Sequence, residues 1–232
     1  MGVGFMKAGS TVVLQALRAA VQLPAGFDCT LSGQTDLAVR VVHREEPLWR
    51  FIEGCSEEVF KWELAKDPTM TRLAGQLATA WPALSWHGRP LQLYFLVREP
   101  FACIGSFLAH LDLQVPADSS SVEGHGQTFS LENVPPPSLF TRGKQLALDV
   151  QRDGLRYTGY VDAAVQRWVL SVDVYLRCPQ RFVLVRYEDF LADPVATMEW
   201  LVRRLGLGAR WSEGSAQRVL EAMSLRYQQS HR

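Results

Sequence analysis

The residues best suited to chemistry form a short loop near the start of the chain. Gly4 and Gly9 flank this loop, and Ser10 and Thr11 follow the second glycine. A glycine-rich turn between a buried strand and a helix gathers backbone N–H groups at the positive end of the helix dipole, so it suits a phosphate. Lys7 adds a cation inside the loop. The segment therefore predicts a phosphate-binding loop.

The position of Lys7 distinguishes this loop from that of nucleotide triphosphatases. In their pattern, GxxxxGK followed by Ser or Thr, the lysine comes after the second glycine and reaches the β- and γ-phosphates. Here Ser10 occupies that position and the lysine precedes Gly9. The spacing disfavours an ordinary ATPase or GTPase, and a nucleotide kinase or NTPase of the same fold class remains an alternative.

A second anion contact is predicted after an apolar segment in the middle of the chain. Arg98 ends the segment predicted to be a buried strand, and Ser106 lies in the helix that follows. A guanidinium at a strand end and a hydroxyl in a helix's first turns can converge on one anion. The alternatives are a surface ion pair for the arginine and a solvated serine.

Two more segments contain candidate site residues. The segment RYEDF covers residues 186–190 and contains Tyr187, for which a packed core aromatic is the alternative interpretation. The segment KDP covers residues 66–68, and its Lys66 is otherwise a salt-bridged surface lysine. Along the chain, KDP follows the loop and precedes Arg98, and RYEDF follows Ser106.

These four segments together resemble the motifs of the sulfotransferase family, whose loop reads PKSGTT. That family uses 3′-phosphoadenosine 5′-phosphosulfate (PAPS) as donor. The chain departs from the family loop at Met6, at Ala8 and at Val12, where some members place an aromatic residue on the adenine. These departures motivate a third interpretation, a non-catalytic relative that binds PAP or PAPS.

The resemblance implies a role for each matched residue. Lys7 would stabilise charge on the bridging oxygen as the S–O bond breaks, and Lys66 would point toward the transferred sulfate. Arg98 and Ser106 would bind the 3′-phosphate, and Tyr187 would lie near the adenine. The implied donor-binding residues are Lys7, Ala8, Gly9, Ser10, Thr11, Arg98, Ser106 and Tyr187.

Sulfuryl transfer also needs a base that takes the proton of the acceptor. Like phosphoryl transfer, it passes through a loose transition state, so position and fixed positive charge matter most. The candidate bases are Glu45 and His43, followed by Asp28, which lies about where several carbohydrate-modifying members of the family carry a catalytic glutamate. No metal is required, and we expect none.

Alternating apolar strands and amphipathic helices predict an α/β fold, a three-layer sandwich with a central parallel sheet and a P-loop-like strand–loop–helix. A single domain is expected over residues 1–232. The segment 114–145 is rich in Pro, Ser and Gly and is predicted to be a mobile flap. Predicted strands cover residues 3–5, 37–42, 91–97 and 181–187. The first predicted helix begins at Ser10, and three others cover residues 47–64, 102–111 and 161–175. A last predicted helix begins at Pro194 and is ended by Gly206 and Gly208.

Composition excludes several other functions. Basic and acidic residues number 24 each, so the overall charge favours no nucleic acid. Four scattered cysteines form no CxxC pair that would suggest zinc. No apolar run reaches the roughly 18 residues of a membrane helix. We expect a cytoplasmic protein with a small-molecule or carbohydrate acceptor, or a Golgi-lumen protein if the sequence is a fragment of a longer one.

Overall fold

The computed structural model describes residues 1–5, 8–23, 27–28, 40–42, 46–53, 65–66, 69–84, 91–110, 113–114, 122–124, 127–129 and 160–230. Two compact units divide the chain. The first comprises residues 1–98 and 173–232, and the second comprises residues 99–172.

The described elements alternate between strand and helix over much of the chain. In chain order the strands are β1 (Gly2–Gly4), β2 (Phe27–Asp28), β3 (Ala65–Lys66), β4 (Leu93–Val97), β5 (Leu113–Gln114), β6 (Val122–Gly124), β7 (Gln127–Phe129) and β8 (Phe182–Arg186). The helices are α1 (Ser10–Val21), α2 (Ala74–Leu84), α3 (Pro100–His110), α4 (Tyr160–Arg177), α5 (Tyr187–Ala192), α6 (Pro194–Arg204) and α7 (Ser215–Ser230). None of these described helices combines the length and the apolar character needed to cross a bilayer.

A parallel sheet organises the first unit. Within the described residues it contains five strands in the order β2–β3–β1–β4–β8. Gly2 lies between Lys66 and Tyr94, and the β4–β8 register runs from Leu93 opposite Phe182 to Val97 opposite Arg186. The strands of this sheet therefore end at one common edge. The fold is α/β, as predicted from the alternation of strands and helices.

The core explains why β4 lies inside this sheet. Its sequence, LYFLV, is apolar throughout, which is typical of strands buried on both faces. Phe95 is buried with Val3 and Phe182, and Leu77 and Trp81 of α2 belong to the same cluster. The rings of Phe95 and Phe182 meet edge to face with centroids 5.7 Å apart. This packing fixes β4 beside β1 and β8.

Helix α1 is fastened at its C-terminal end by α7, an element that the sequence analysis did not predict. The buried Ser215 donates a hydrogen bond from Oγ to the carbonyl oxygen of Ala20 at 2.7 Å. Arg218 donates from Nε to the carbonyl oxygen of Ala19 at 2.8 Å. A cation near the last carbonyls of a helix also complements the helix dipole. These contacts hold the helix that begins at Ser10.

The second unit contains a small antiparallel sheet in the order β5–β6–β7. Strands β6 and β7 lie within the predicted flap 114–145, where the sequence analysis anticipated no strand. The mobility of the flap stays a prediction.

Helix α3 of the second unit has described contacts near both of its ends. Glu99 precedes α3 and accepts hydrogen bonds from the backbone N–H groups of Phe101 and Ala102 at 2.9 and 2.7 Å. Further along this unit, the Arg167 guanidinium of α4 lies 5.8 Å from the ring centroid of Phe107 in α3.

The predicted strand at 37–42 is wrong for the part that the structure describes, because residues 40–42 are helical. Val41 and Val42 are buried in the cluster that contains Phe51 and Ile52. Periodicity cannot separate helix from strand in so short an apolar run, and packing overrides the β-preference of valine. Residues 37–39 lie outside the described ranges.

Other predicted boundaries hold with small shifts. Within the predicted helix 47–64, residues 48–53 are helical and 54–64 lie outside the described residues. Pro194 begins α6, and Gly206, with a φ of +74°, follows its end. The predicted strand 181–187 ends at Arg186, and Tyr187 is the first residue of α5.

Candidate functional site

The candidate site lies at the carboxyl edge of the parallel sheet, just beyond β1, β4 and β8. Gly4 is opposite Leu96 in the register of β1 and β4, and Val97 is opposite Arg186 in that of β4 and β8. Open α/β sheets bind their ligands outside this edge, where loops leave the strands. The loop after β1, Arg98 after β4 and Tyr187 after β8 therefore begin from neighbouring strand ends.

A backbone hydrogen bond links the two described ends of the connection between β1 and α1. The Ala8 backbone N–H donates to the carbonyl oxygen of Phe5 at 3.2 Å, across positions 6 and 7. These two positions, including Lys7, lie outside the described residues. Gly9 then adopts a left-handed conformation with φ of +96° and ψ of 13° as the N-cap of α1. Glycine suits this position because it has no Cβ to oppose a positive φ.

The N-terminus of α1 presents backbone donors without a carboxylate cap. Among the described residues, no side chain caps Gly9 and no acidic residue occupies the first turn. Ser10 is buried and Thr11 is half-buried at the helix start. The first N–H groups of a helix have no intrahelical partner and lie at the positive end of its dipole. The geometry suits a phosphate at this turn.

Tyr187 joins the loop to the segment that follows β4. A Cβ built on Gly9 would lie 2.3 Å from Cε2 of Tyr187, so the tyrosine ring rests directly against the Gly9 backbone. The guanidinium carbon of Arg98 lies 5.1 Å from the centroid of the same ring, within cation–π range. The structure thus brings together Gly9, Arg98 and Tyr187, which the sequence analysis had assigned to three separate motifs.

Thr71 is a further residue of the site, and the sequence analysis missed it. It lies in a short 3₁₀ helix, Thr69–Leu73, and is buried. Its hydroxyl accepts from the Gly4 N–H at 2.9 Å and donates to the Gly4 carbonyl oxygen at 2.8 Å. This reciprocal pair fixes the last residue of β1, from which the connection to α1 departs. The only local signal was a polar residue five positions after Lys66.

Replacing Thr71 with valine should destabilise the fold and loosen the loop. Valine has a similar shape but leaves the buried Gly4 N–H and C=O without their hydroxyl partner, which costs about 1–3 kcal/mol per unsatisfied group. Urea denaturation would measure the fall in the free energy of unfolding. Thr71→Ser is the matched control because it keeps the hydroxyl. Equal stability of the valine and serine variants would contradict the role of this hydrogen-bond pair.

Lys66 and Asp28 lie on the neighbouring strands of the same sheet. Lys66 is in register with Gly2 on one side and with Asp28 on the other. Lys66 is 4% exposed, so it is not the surface lysine of the alternative interpretation. The side chain of Asp28 lies outside the described residues, as do the other candidate bases, His43 and Glu45. The identity of the base therefore stays a prediction.

Ser106 belongs to the second unit, where it is half-buried on α3. Arg98 is the last residue of the first unit. Their shared anion contact remains a prediction from the sequence. In the described part of the chain, no group of three or more His, Cys, Asp or Glu residues is arranged to hold a metal ion.

No family model matches the chain, and no curated protein or solved structure matches it at a significant level.

Proposed function

We propose that this chain is a sulfotransferase that moves a sulfuryl group from PAPS to a hydroxyl or amine of an acceptor. The observation that carries the proposal is the meeting of Gly9, Tyr187 and Arg98 at the carboxyl edge of the sheet. PAPS carries a phosphate on the 3′-oxygen of its ribose, a phosphosulfate on the 5′-oxygen and a flat adenine on C1′. A donor site thus needs two separate anion contacts and an aromatic surface, which these residues supply.

The 5′-phosphate is assigned to the turn before α1. The N–H groups at Gly9 and Ser10 and the hydroxyl of Thr11 would hold it, with the helix dipole adding positive potential. Ala8 supports the turn through its hydrogen bond to Phe5. No first-turn carboxylate of α1 repels the ligand.

The 3′-phosphate is assigned to Arg98, with Ser106 as the second contact expected from the sequence resemblance. A guanidinium offers planar paired donors that match the geometry of a phosphate. The Tyr187 ring beside Arg98 would lie near the adenine, as the resemblance implies. This assignment predicts that the protein distinguishes PAP from ADP, because ADP lacks a 3′-phosphate.

The reaction is a displacement at sulfur. The acceptor oxygen or nitrogen forms a bond to sulfur as the bond from sulfur to the bridging oxygen breaks, and PAP leaves with that electron pair. The acceptor proton passes to the base, for which Glu45, His43 and Asp28 are the candidates. The positive charges of Lys7 and of the buried Lys66 stabilise the negative charge that develops on the bridging oxygen.

Calorimetric titration with PAP, ADP and Mg-ATP tests the proposal. We expect PAP to bind at least about tenfold more tightly than ADP, since one further charge-assisted contact is worth about 1.4 kcal/mol or more. Equal affinity for PAP and ADP would contradict the donor assignment. Preference for Mg-ATP would instead favour the nucleotide kinase or NTPase.

Transfer is tested separately from binding. The protein is incubated with radiolabelled PAPS and panels of phenolic, amine and carbohydrate acceptors. Wild type should release PAP and label an acceptor, whereas Lys7→Ala should bind PAP but lose most transfer. PAP binding by wild type without transfer to any acceptor would favour the non-catalytic relative.

A further inference from the structure

A cavity of about 410 Å³ lies where β4 and β8 begin, at the edge of the sheet opposite the candidate site. Its volume is within the range of small-molecule pockets. The first residues of the two strands, Leu93 and Phe182, form part of its wall. The side chains that give the cavity its chemical character are Gln92, Gln180, Arg181, Trp200 and Arg204.

The cavity is positively charged. Arg181 and Arg204 line it, and none of the described residues that line it is acidic. Arg181 donates from Nη1 to the Gly75 carbonyl oxygen at 2.8 Å and to the Thr79 hydroxyl, so neutral groups of α2 hold it in place. Over the described residues, neither of the two arginines forms an ion pair with a carboxylate.

The adjacent Arg203, also exposed on α6, differs from Arg204 because it forms an ion pair. It pairs with Glu199 one turn earlier, with an N–O distance of 2.6 Å, and it does not line the cavity. Arg204 instead lies with its guanidinium carbon 6.0 Å from the ring centroid of Trp200. The positive charge of Arg204 is thus kept beside an aromatic ring rather than neutralised by a neighbour.

Trp200 adds an aromatic surface to the cavity, whose apolar lining also includes Leu93, Phe182, Val183 and Leu184. Trp200 is 41% exposed, although a tryptophan gains much from burial. An indole next to a guanidinium suits a flat ring that carries a negative group, because the ring packs on the indole while the anion pairs with the arginine. The amides of Gln92 and Gln180 offer further polar contacts.

We propose that this cavity, bounded by Arg181, Trp200 and Arg204, binds a small aromatic anion, namely a ring bearing a carboxylate, sulfate, sulfonate or phosphate group. The cavity lies at the amino ends of β4 and β8. The candidate nucleotide site differs in place, because Gly9, Arg98 and Tyr187 lie beyond the carboxyl ends of β1, β4 and β8. The existence of the cavity does not depend on the proposed transferase activity.

The test uses naphthalene-2-sulfonate as the probe and uncharged 2-naphthol as its matched partner, titrated by calorimetry into the whole chain. We expect saturable binding of the sulfonate at one site and at least about tenfold weaker binding of the naphthol, which lacks the charge-assisted contact. Absence of saturable sulfonate binding, or equal affinity for both compounds, would overturn the proposal.

Variants then locate the bound probe. Arg204→Gln should weaken sulfonate binding by about tenfold through loss of the charged contact. Arg203→Gln, one residue earlier and outside the cavity, should leave it unchanged. Trp200→Leu should also weaken binding, whereas Trp49→Leu, another exposed tryptophan outside the cavity, should not. Equal effects of the two arginine variants would place the probe elsewhere and overturn the assignment.

Two readouts keep these results interpretable. The melting temperature of each variant, compared with wild type, separates loss of the site from loss of the fold. Arg98→Ala should leave sulfonate binding unchanged, because Arg98 does not line this cavity. A strong loss of sulfonate binding in Arg98→Ala would assign the probe to the nucleotide site and contradict the proposal.

Discussion

Replacing Arg98 with alanine should weaken PAP binding by about 30-fold or more while changing ADP binding little. The assigned partner of Arg98 is the 3′-phosphate, which ADP lacks. Removal of a charge-assisted contact costs on the order of 2 kcal/mol. Titration calorimetry with both nucleotides measures the difference directly. Arg98→Lys should fall between, because lysine keeps the charge but loses the paired donors.

Arg186→Ala is the matched control for this experiment. Arg186 ends β8 at the same edge of the sheet, is exposed, and pairs with Asp189 at 3.7 Å. Its loss should leave both affinities within about twofold, since exposed ion pairs contribute little. An equal loss of PAP and ADP binding in Arg98→Ala would contradict the 3′-phosphate assignment. Arg98 would then act by holding the Tyr187 ring.

Replacing Gly9 with alanine should damage both nucleotide binding and stability. The added Cβ would meet the Tyr187 ring at 2.3–2.4 Å, and the φ of +96° is strained for any residue with a Cβ. Left-handed backbone costs about 1–2 kcal/mol for an L-residue, and the ring must also move. We expect a loss of at least about 2 kcal/mol in unfolding free energy, measured by urea denaturation, and a loss of PAP affinity of more than tenfold.

Gly105→Ala makes the same chemical change in an open place. Gly105 lies within α3, and apart from the backbone of its own helix a Cβ there would meet no atom of the described residues within 4 Å. Alanine should stabilise this helix by about 0.5–1 kcal/mol. The two alanine substitutions therefore have opposite expected signs. Unchanged stability and PAP binding in Gly9→Ala would show that the turn and the ring can separate freely, and would remove the main support for the site.

The sequence predicted the candidate site best where residues suited to anion binding lie next to a strand end or a helix start. Gly9 followed by an apolar helix indicated a strand–turn–helix, and Arg98 and Tyr187 came at the ends of apolar runs. The family resemblance assigned these residues to one donor site, and parallel strands that end at a common edge can bring them together. The strand positions themselves were indicated by the long apolar runs.

Features that depend on distant contacts could not be predicted. Thr71 acts on Gly4, 67 residues earlier in the chain, and nothing in its local sequence indicates this partner. Strands β2 and β3 have two residues each, too few to produce a periodic pattern. The resting of the Tyr187 ring on Gly9 depends on the register of β1, β4 and β8, which no single segment encodes.

The helix starts differ in a way that bears on where an anion can bind. Glu99 places its own carboxylate on the first N–H groups of α3, and Asp193 accepts from the Ala196 N–H at the start of α6. An anion from solution would have to displace a carboxylate that the chain holds at high effective concentration. At Gly9 no described side chain offers such competition. Among the described residues, the protein thus places its own carboxylates on two helix termini and none on that of α1.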